Sequence, residues 1–190
     1  TKSQHKTLKK KDIREKLKKE RLNVTKKELI NTSEIISKTC IKEIEKNNFD
    51  AIVSYSSIMN EINLDILHKY LLRKKVNLLF PKKNTSEYII TKINSLNELQ
   101  PGKYNINEPI HLTNDIINYK NICWFIPGIA FDNHGNRIGF GKGVYDYLLN
   151  LYQGYKIGVA YNFQIINNIE NESHDIKMNK IISEKQIIKI

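Results

Sequence analysis

The chain has no apolar run approaching the ~20 residues that a membrane-spanning helix requires, so insertion into a bilayer is not expected. Cysteine is nearly absent. Cys40 falls in a helical pattern and Cys123 inside an apolar run, with no C-x-x-C pair and no nearby histidine. That spacing argues against a disulfide framework or a zinc site and leaves packed thiols in a reducing compartment. No internal repeat, low-complexity linker or boundary divides the 190 residues. One domain over residues 1–190 is therefore expected, long enough to bury a core. Glycine is scarce too, eight in all, which makes the three at 139, 141 and 143 informative.

Acidic residues are outnumbered 31 to 20 by lysine and arginine, for a net charge of +11. Such a balance ordinarily suggests nucleic acid. Its distribution points elsewhere: residues 1–27 hold 12 basic and 3 acidic side chains, contributing +9, and the remainder only +2. The excess is therefore N-terminal, as a solvated face, an RNA contact or a phosphate clamp reaching into a site built elsewhere. Within residues 1–22, Leu8, Ile13, Leu17 and Leu22 recur at roughly helical spacing, which predicts a short basic amphipathic helix interrupted at Asn23, Val24 and Thr25. The expected compartment is the cytoplasm. The chain begins at Thr1 without Met, which leaves a targeting segment upstream open.

Thr25 with Glu28 reads as a capping box opening a second helix that runs to about Asn47, with Leu29, Ile35, Ile36, Ile41 and Ile44 inward. Residues 51–55 read as a buried strand, 64–74 as a helix, and 76–80 as a strand ending at Pro81, together a βαβ unit. Residues 88–93 suggest a more exposed strand and 96–109 a loop holding Gly102, Tyr104 and Glu108. Strands at 122–126 and 156–161, a helix at 144–151 and a final apolar alternation over 181–190 complete the pattern. Alternating strands and helices predict an α/β, three-layer sandwich with a mostly parallel, doubly wound central sheet flanked by helices. Ligands of such sheets sit beyond the strands' carboxyl ends. Residues 55–61, 80–83 and 127–143 follow three of those ends and can share one crevice.

The most informative stretch is FIPGIAFDNHGNRIGFGKGVYDYLLN, residues 125–150. An apolar run ends in Pro-Gly and feeds a glycine-rich basic loop that opens a helix. Gly139, Gly141 and Gly143 permit unusual backbone angles and close approach, while the helix from Val144 aims free N–H groups and its positive dipole end at the same spot. Lys142 and Arg137 add charge, so a polyphosphate is the natural guest. The loop has neither Rossmann nor Walker spacing. The alternative is a plain turn at Asn133, His134, Gly135 and Asn136 followed by strand-ending glycines. Asp146, in the helix's first turn, can cap that helix or hold Mg²⁺ against phosphate oxygens. Asp175, after His174, is the best second carboxylate.

PGIAFDNHGNRIGFGKGVYD resembles the signature of the 5-formyltetrahydrofolate cyclo-ligase, or methenyltetrahydrofolate synthetase, family. Lys10, Lys11, Asp12, Ile13 and Arg14, the segment SIMNE at 57–61, YNINEP at 104–109, and His174 with Asp175 extend the likeness over nearly the whole chain. The resemblance implies ATP- and Mg²⁺-dependent cyclisation of 5-formyltetrahydrofolate, with or without a polyglutamate tail, to 5,10-methenyltetrahydrofolate, ADP and phosphate. The formyl oxygen would be phosphorylated and N10 would then attack. It implies an ATP site of Lys10, Arg14, Arg137, Gly139, Gly141, Lys142, Gly143 and Tyr145, with Lys142, Arg137 and Tyr145 serving catalysis. Asp146 and Asp175 would hold Mg²⁺. Glu61, with Ser56 and Met59, would bind the pterin, Tyr104 would stack on the folate, and Phe140 and Val144 would lie on the folate side of the loop.

Three positions depart from the family pattern: Val144, before Tyr145, where two tyrosines are common, Phe140 for a frequent Tyr or Arg, and Asn179 where a second acid is common. His134 reads as a turn residue. The expected partner is the small-molecule folate rather than nucleic acid or membrane, and the expected state is a monomer. Two other readings compete: a non-catalytic relative binding RNA or another polyanion through its basic helix, and an ATP-dependent enzyme acting on another small amide.

Overall fold

The computed structural model describes residues 9–190, so Leu8 and the first part of the 1–22 segment lie outside the described residues. In chain order the helices are α1 (Lys10–Leu22), α2 (Lys26–Glu45), α3 (Asp65–Arg73) and α4 (Val144–Leu151). The first strands are β1 (Ala51–Val53), β2 (Asn77–Asn84), β3 (Glu87–Ile93), β4 (Leu99–Pro101), β5 (Asn107–Pro109) and β6 (Ile122–Ile126). They are followed by β7 (Ala130–Asp132), β8 (Arg137–Ile138), β9 (Tyr155–Val159), β10 (Ile165–Ile166), β11 (Lys180–Ile182) and β12 (Ile187–Lys189).

Seven strands form the central sheet in the order β12, β11, β9, β6, β1, β2, β3. β2, β1, β6, β9 and β11 pair in parallel, and β3 and β12 are antiparallel edges. Side chains alternate across the pleat. Ile52, Cys123 and Phe125 therefore face α2 and α3, through Ile36, Cys40, Leu67 and Leu71. Val53, Trp124 and Ile126 face the other way, against Leu148 and Leu149 of α4. These are the three layers the strand and helix alternation predicts, and Cys40 and Cys123 are buried free thiols. A third cluster seats Ile13 and Leu17 of α1 on Ile129, Ala130 and Ile138. This lays the basic helix across the small sheet of β10, β7 and β8.

The capping box forms as expected: Thr25 Oγ1 accepts from the Glu28 N–H at 3.2 Å and Glu28 Oε2 accepts from the Thr25 N–H at 2.7 Å. Ile35, expected inward, is 49% exposed, because the buried stripe of α2 follows Ser33, Ile36, Ser37, Cys40 and Ile44 and leaves Ile35 off it. β2 does not stop at Pro81 but runs on to Asn84, with Pro81 opposite Ile90 of β3. β1 reaches only the level of Leu79, so on that side no ladder partner is lost to the missing proline N–H. The segment 96–109 is more ordered than a loop, since β4 and β5 pair as an antiparallel ribbon.

Candidate active site

Every site residue anticipated from the sequence lines one cavity of about 670 Å³ at the carboxyl ends of β1, β2 and β6. One wall is the glycine loop between β8 and α4. Gly141 has φ 94° and Gly143, which precedes α4, has φ 66°, both in the left-handed region open to glycine. α1 supplies the cations facing this wall. Arg14 Nε donates to the Gly139 carbonyl at 2.8 Å, and one turn earlier Lys10 pairs with Asp175 at 3.3 Å. Arg137 donates from Nε to the Pro127 carbonyl at 2.7 Å, and its guanidinium lies 5.0 Å over the Tyr145 ring. Burial pushes the Arg137 pKa down, opposed by the nearby acids Asp146 and Glu61. Burial pushes the Tyr145 phenol up, so it stays protonated.

The opposite wall is built from residues 55–61 and the ribbon. Glu61 is buried, and its Oε1 accepts from the Ile58 N–H at 2.9 Å. Burial raises its pKa from the ordinary 4.5 to about 7, against the opposing charges of Arg21 and Arg137 and the Ile58 N–H. Ser56 Oγ is buried with no hydrogen-bond partner among the described residues, an orphan polar atom in a cavity wall. Tyr104, at the ribbon's tip, is 61% exposed with φ 61°. Lys142 Nζ lies 4.1 Å over its ring, so the two walls touch. Met59, Phe140 and Val144 also line the cavity, with the Phe140 ring 5.5 Å from both Lys18 Nζ and the Arg21 guanidinium.

The two metal candidates share the cavity but differ in surroundings. Asp146 has no hydrogen-bond or ion-pair partner among the described residues. Asp175 accepts from Lys10 and from the Glu172 N–H at 2.8 Å. Partial burial works against its charge, but these donors hold its carboxyl below the ordinary range. The cluster of potential metal ligands among the described residues is Glu172, His174 and Asp175, without Asp146. Asn179 has a sheet role, its Oδ1 accepting from the Lys156 N–H at 2.8 Å and its carbonyl from the Ile190 N–H at 3.1 Å. His134 is an exposed turn residue, as expected. Buried Asp132 organises that turn, accepting from the His134 and Asn136 N–H groups at 2.9 Å each.

One buried residue beside the cavity escaped the sequence reading. Arg21 is 1% exposed, although its neighbours in α1 are mostly solvated. A signal was available, because 21 follows 13 and 17 at four-residue steps and so continues the apolar stripe.

Residues 6–184 match the sequence model of the 5-formyltetrahydrofolate cyclo-ligase family. The Mycoplasma genitalium 5-formyltetrahydrofolate cyclo-ligase is 30% identical over 162 residues, covering 78% of this chain and 92% of that one. The Mus musculus protein of the same name is 25% identical, over 92% and 93%. The solved structure of Aquifex aeolicus 5,10-methenyltetrahydrofolate synthetase superposes with a TM-score of 0.82 at 30% identity, covering 95% of this chain and 92% of that one.

Proposed function

The chain belongs to the 5-formyltetrahydrofolate cyclo-ligase family and is a ligase that closes 5-formyltetrahydrofolate to 5,10-methenyltetrahydrofolate; we propose that ATP drives the closure and that the two cavity walls divide the work. The observation that carries this division is the convergence in one cavity of a left-handed glycine loop ringed by Lys10, Arg14, Arg137 and Lys142 with a wall holding Glu61, Ser56 and Tyr104. The first suits a polyphosphate, since the glycine loop leads into the N-terminus of α4 and four cations line the same cavity. The second suits a pterin, with an acceptor carboxylate, an unpartnered hydroxyl and an exposed ring for stacking.

A formyl amide is a poor electrophile, so its oxygen first attacks the γ-phosphorus of ATP, and ADP leaves. N10 then attacks the activated formyl carbon, phosphate departs with the former formyl oxygen, and N10 gives up its proton. The protein's part is positioning and charge neutralisation. Lys10 and Arg14 hold the outer phosphates, and Lys142 leaves the Tyr104 ring to meet the transferring group. Arg137, fixed by the Pro127 carbonyl and the Tyr145 ring, spans the two halves. Glu61 accepts from the pterin's N–H donors. Asp146, unpartnered beside the glycine loop, fits a hard divalent cation; Mg²⁺ held there would neutralise phosphate charge, whereas Asp175 is engaged by Lys10 and lies outside that ligand set in this structure.

The non-catalytic polyanion reading loses ground because Lys10, Arg14 and Lys18 line the cavity and Arg21 is buried, leaving fewer of α1's cations for an outside partner. The deciding experiment follows absorbance in the methenyl-folate band with 5-formyltetrahydrofolate and Mg²⁺, adding ATP last. An ATP-dependent rise, at least about tenfold slower in Lys142→Ala, supports the assignment. No rise in the unmodified protein refutes it.

A further inference from the structure

The loop that carries Glu61 contains two successive non-glycine residues in the left-handed region, Met59 with φ 47° and Asn60 with φ 59°. Asn tolerates that region better than Met, for which it costs about 1–2 kcal/mol, so the turn depends on the surroundings that hold it. The C-terminal end of α1 does the holding. Arg21 Nε donates to the Met59 carbonyl at 3.0 Å, and Nη1 to the Gly128 carbonyl at 3.2 Å. Asn60 Nδ2 returns to α1, donating to the carbonyls of Arg21 and Val24 at 3.1 Å each, and Tyr161 closes the turn by donating to the Asn60 carbonyl at 2.8 Å. Arg21 Nη2 has no partner among the described residues. Arg21 lines a narrow gap together with Glu61 and Tyr55.

We propose that Arg21 is a positioning residue for the folate half of the site: it fixes the left-handed turn that presents Glu61, and its charge keeps that buried carboxylate able to accept hydrogen bonds. The inference rests on the folate reading above. The groups acting on Glu61 from the surrounding elements are Arg21 of α1, Arg137 of β8, Tyr145 of α4 and Tyr55 after β1. Arg21 is the first of the opposing influences, so its removal falls mainly on Glu61. The same helix carries Lys10 and Arg14 two to three turns earlier. α1 thereby links both halves, with only its C-terminal end assigned to folate.

The test is steady-state kinetics of the full chain and of Arg21→Gln and Arg21→Lys between pH 5.5 and 8.5, with each substrate varied in turn. For Arg21→Gln we expect the KM for 5-formyltetrahydrofolate to rise about tenfold, with the KM for ATP within about twofold of the original. The acid limb of kcat/KM for folate should move upward by about one pH unit. Arg21→Lys, which keeps the charge but not the two directed hydrogen bonds, should hold the acid limb in place and still raise the folate KM several-fold. Equal rises in both KM values with an unmoved acid limb would mark a merely structural role and overturn the proposal. If Arg21→Gln does not fold, an unchanged folate KM in Arg21→Lys overturns it equally. Absence of turnover in the unmodified protein would remove the folate reading and this inference together, whereas turnover with an unmoved limb removes this inference alone.

Discussion

Replacing Glu61 by Gln should stabilise the protein at alkaline pH while disabling it. Glu61 is 5% exposed, and burial lifts its pKa from the ordinary 4.5 to about 7. Between those two values the folded chain keeps a proton that the unfolded chain has released. Stability therefore falls as pH rises through that window, and the loss is complete above about pH 7. A rise of about 2.5 pH units at ~1.36 kcal/mol each amounts to about 3 kcal/mol. Gln has the shape of the protonated acid and never ionises. At pH 8 the variant should exceed the original protein by about 3 kcal/mol, or roughly 6–12 °C in melting temperature for a chain of this size. Near pH 4.5 and below, the difference should close. Urea unfolding of both proteins without ligand, at pH 4.5, 6 and 8, measures this directly. A difference that stays constant with pH, or a Gln variant less stable at pH 8, would refute the reasoning. If Glu61 receives the pterin as proposed, turnover should fall roughly a hundredfold, because Gln presents one acceptor and a donor where the carboxylate offers acceptors only.

Gly141→Ala places a side chain at φ 94°, and should cost about 1–2 kcal/mol of stability and weaken ATP binding while leaving folate binding without ATP unchanged, as calorimetry with each substrate would show. Lys180→Met breaks the buried pair with Glu43 in the layer between α2 and β11. It should destabilise the fold by about 3 kcal/mol in urea yet leave kcat per folded molecule unchanged, because neither residue lines the cavity.

Much of this molecule was legible along the chain because the signals were short-range. The helix at 144–151 and the strand at 122–126 fall where the apolar patterns put them, and the capping box at Thr25 and Glu28 forms both of its bonds. The fully apolar residues 122–126 read as a buried strand, and β6 is indeed the middle strand of the sheet, covered on both faces. Boundaries failed where a neighbouring strand decided them. Pro81 ends a strand by local rules, but here β3 lies opposite and β1 has already stopped, so β2 continues. The ribbon of β4 and β5 pairs segments whose periodicity is too short to register as strands.

By itself the sequence determined the glycine loop, the helix that follows it, the basic first helix and the class of sheet, since each depends on residue type and spacing within a few turns. Only the tertiary structure decided how these parts meet. It turned Lys10 and Arg14 into the cavity, set Lys142 on Tyr104, and left Ser56 without a partner. It also drew Arg21, one of many basic residues in α1, into the core to hold a strained turn 38 residues away along the chain. Those contacts join segments remote in sequence, and their energies exist only once the parallel sheet has brought its strand ends together. The four-residue step from Ile13 and Leu17 marks Arg21 as inward, but no local pattern names the partners it meets there.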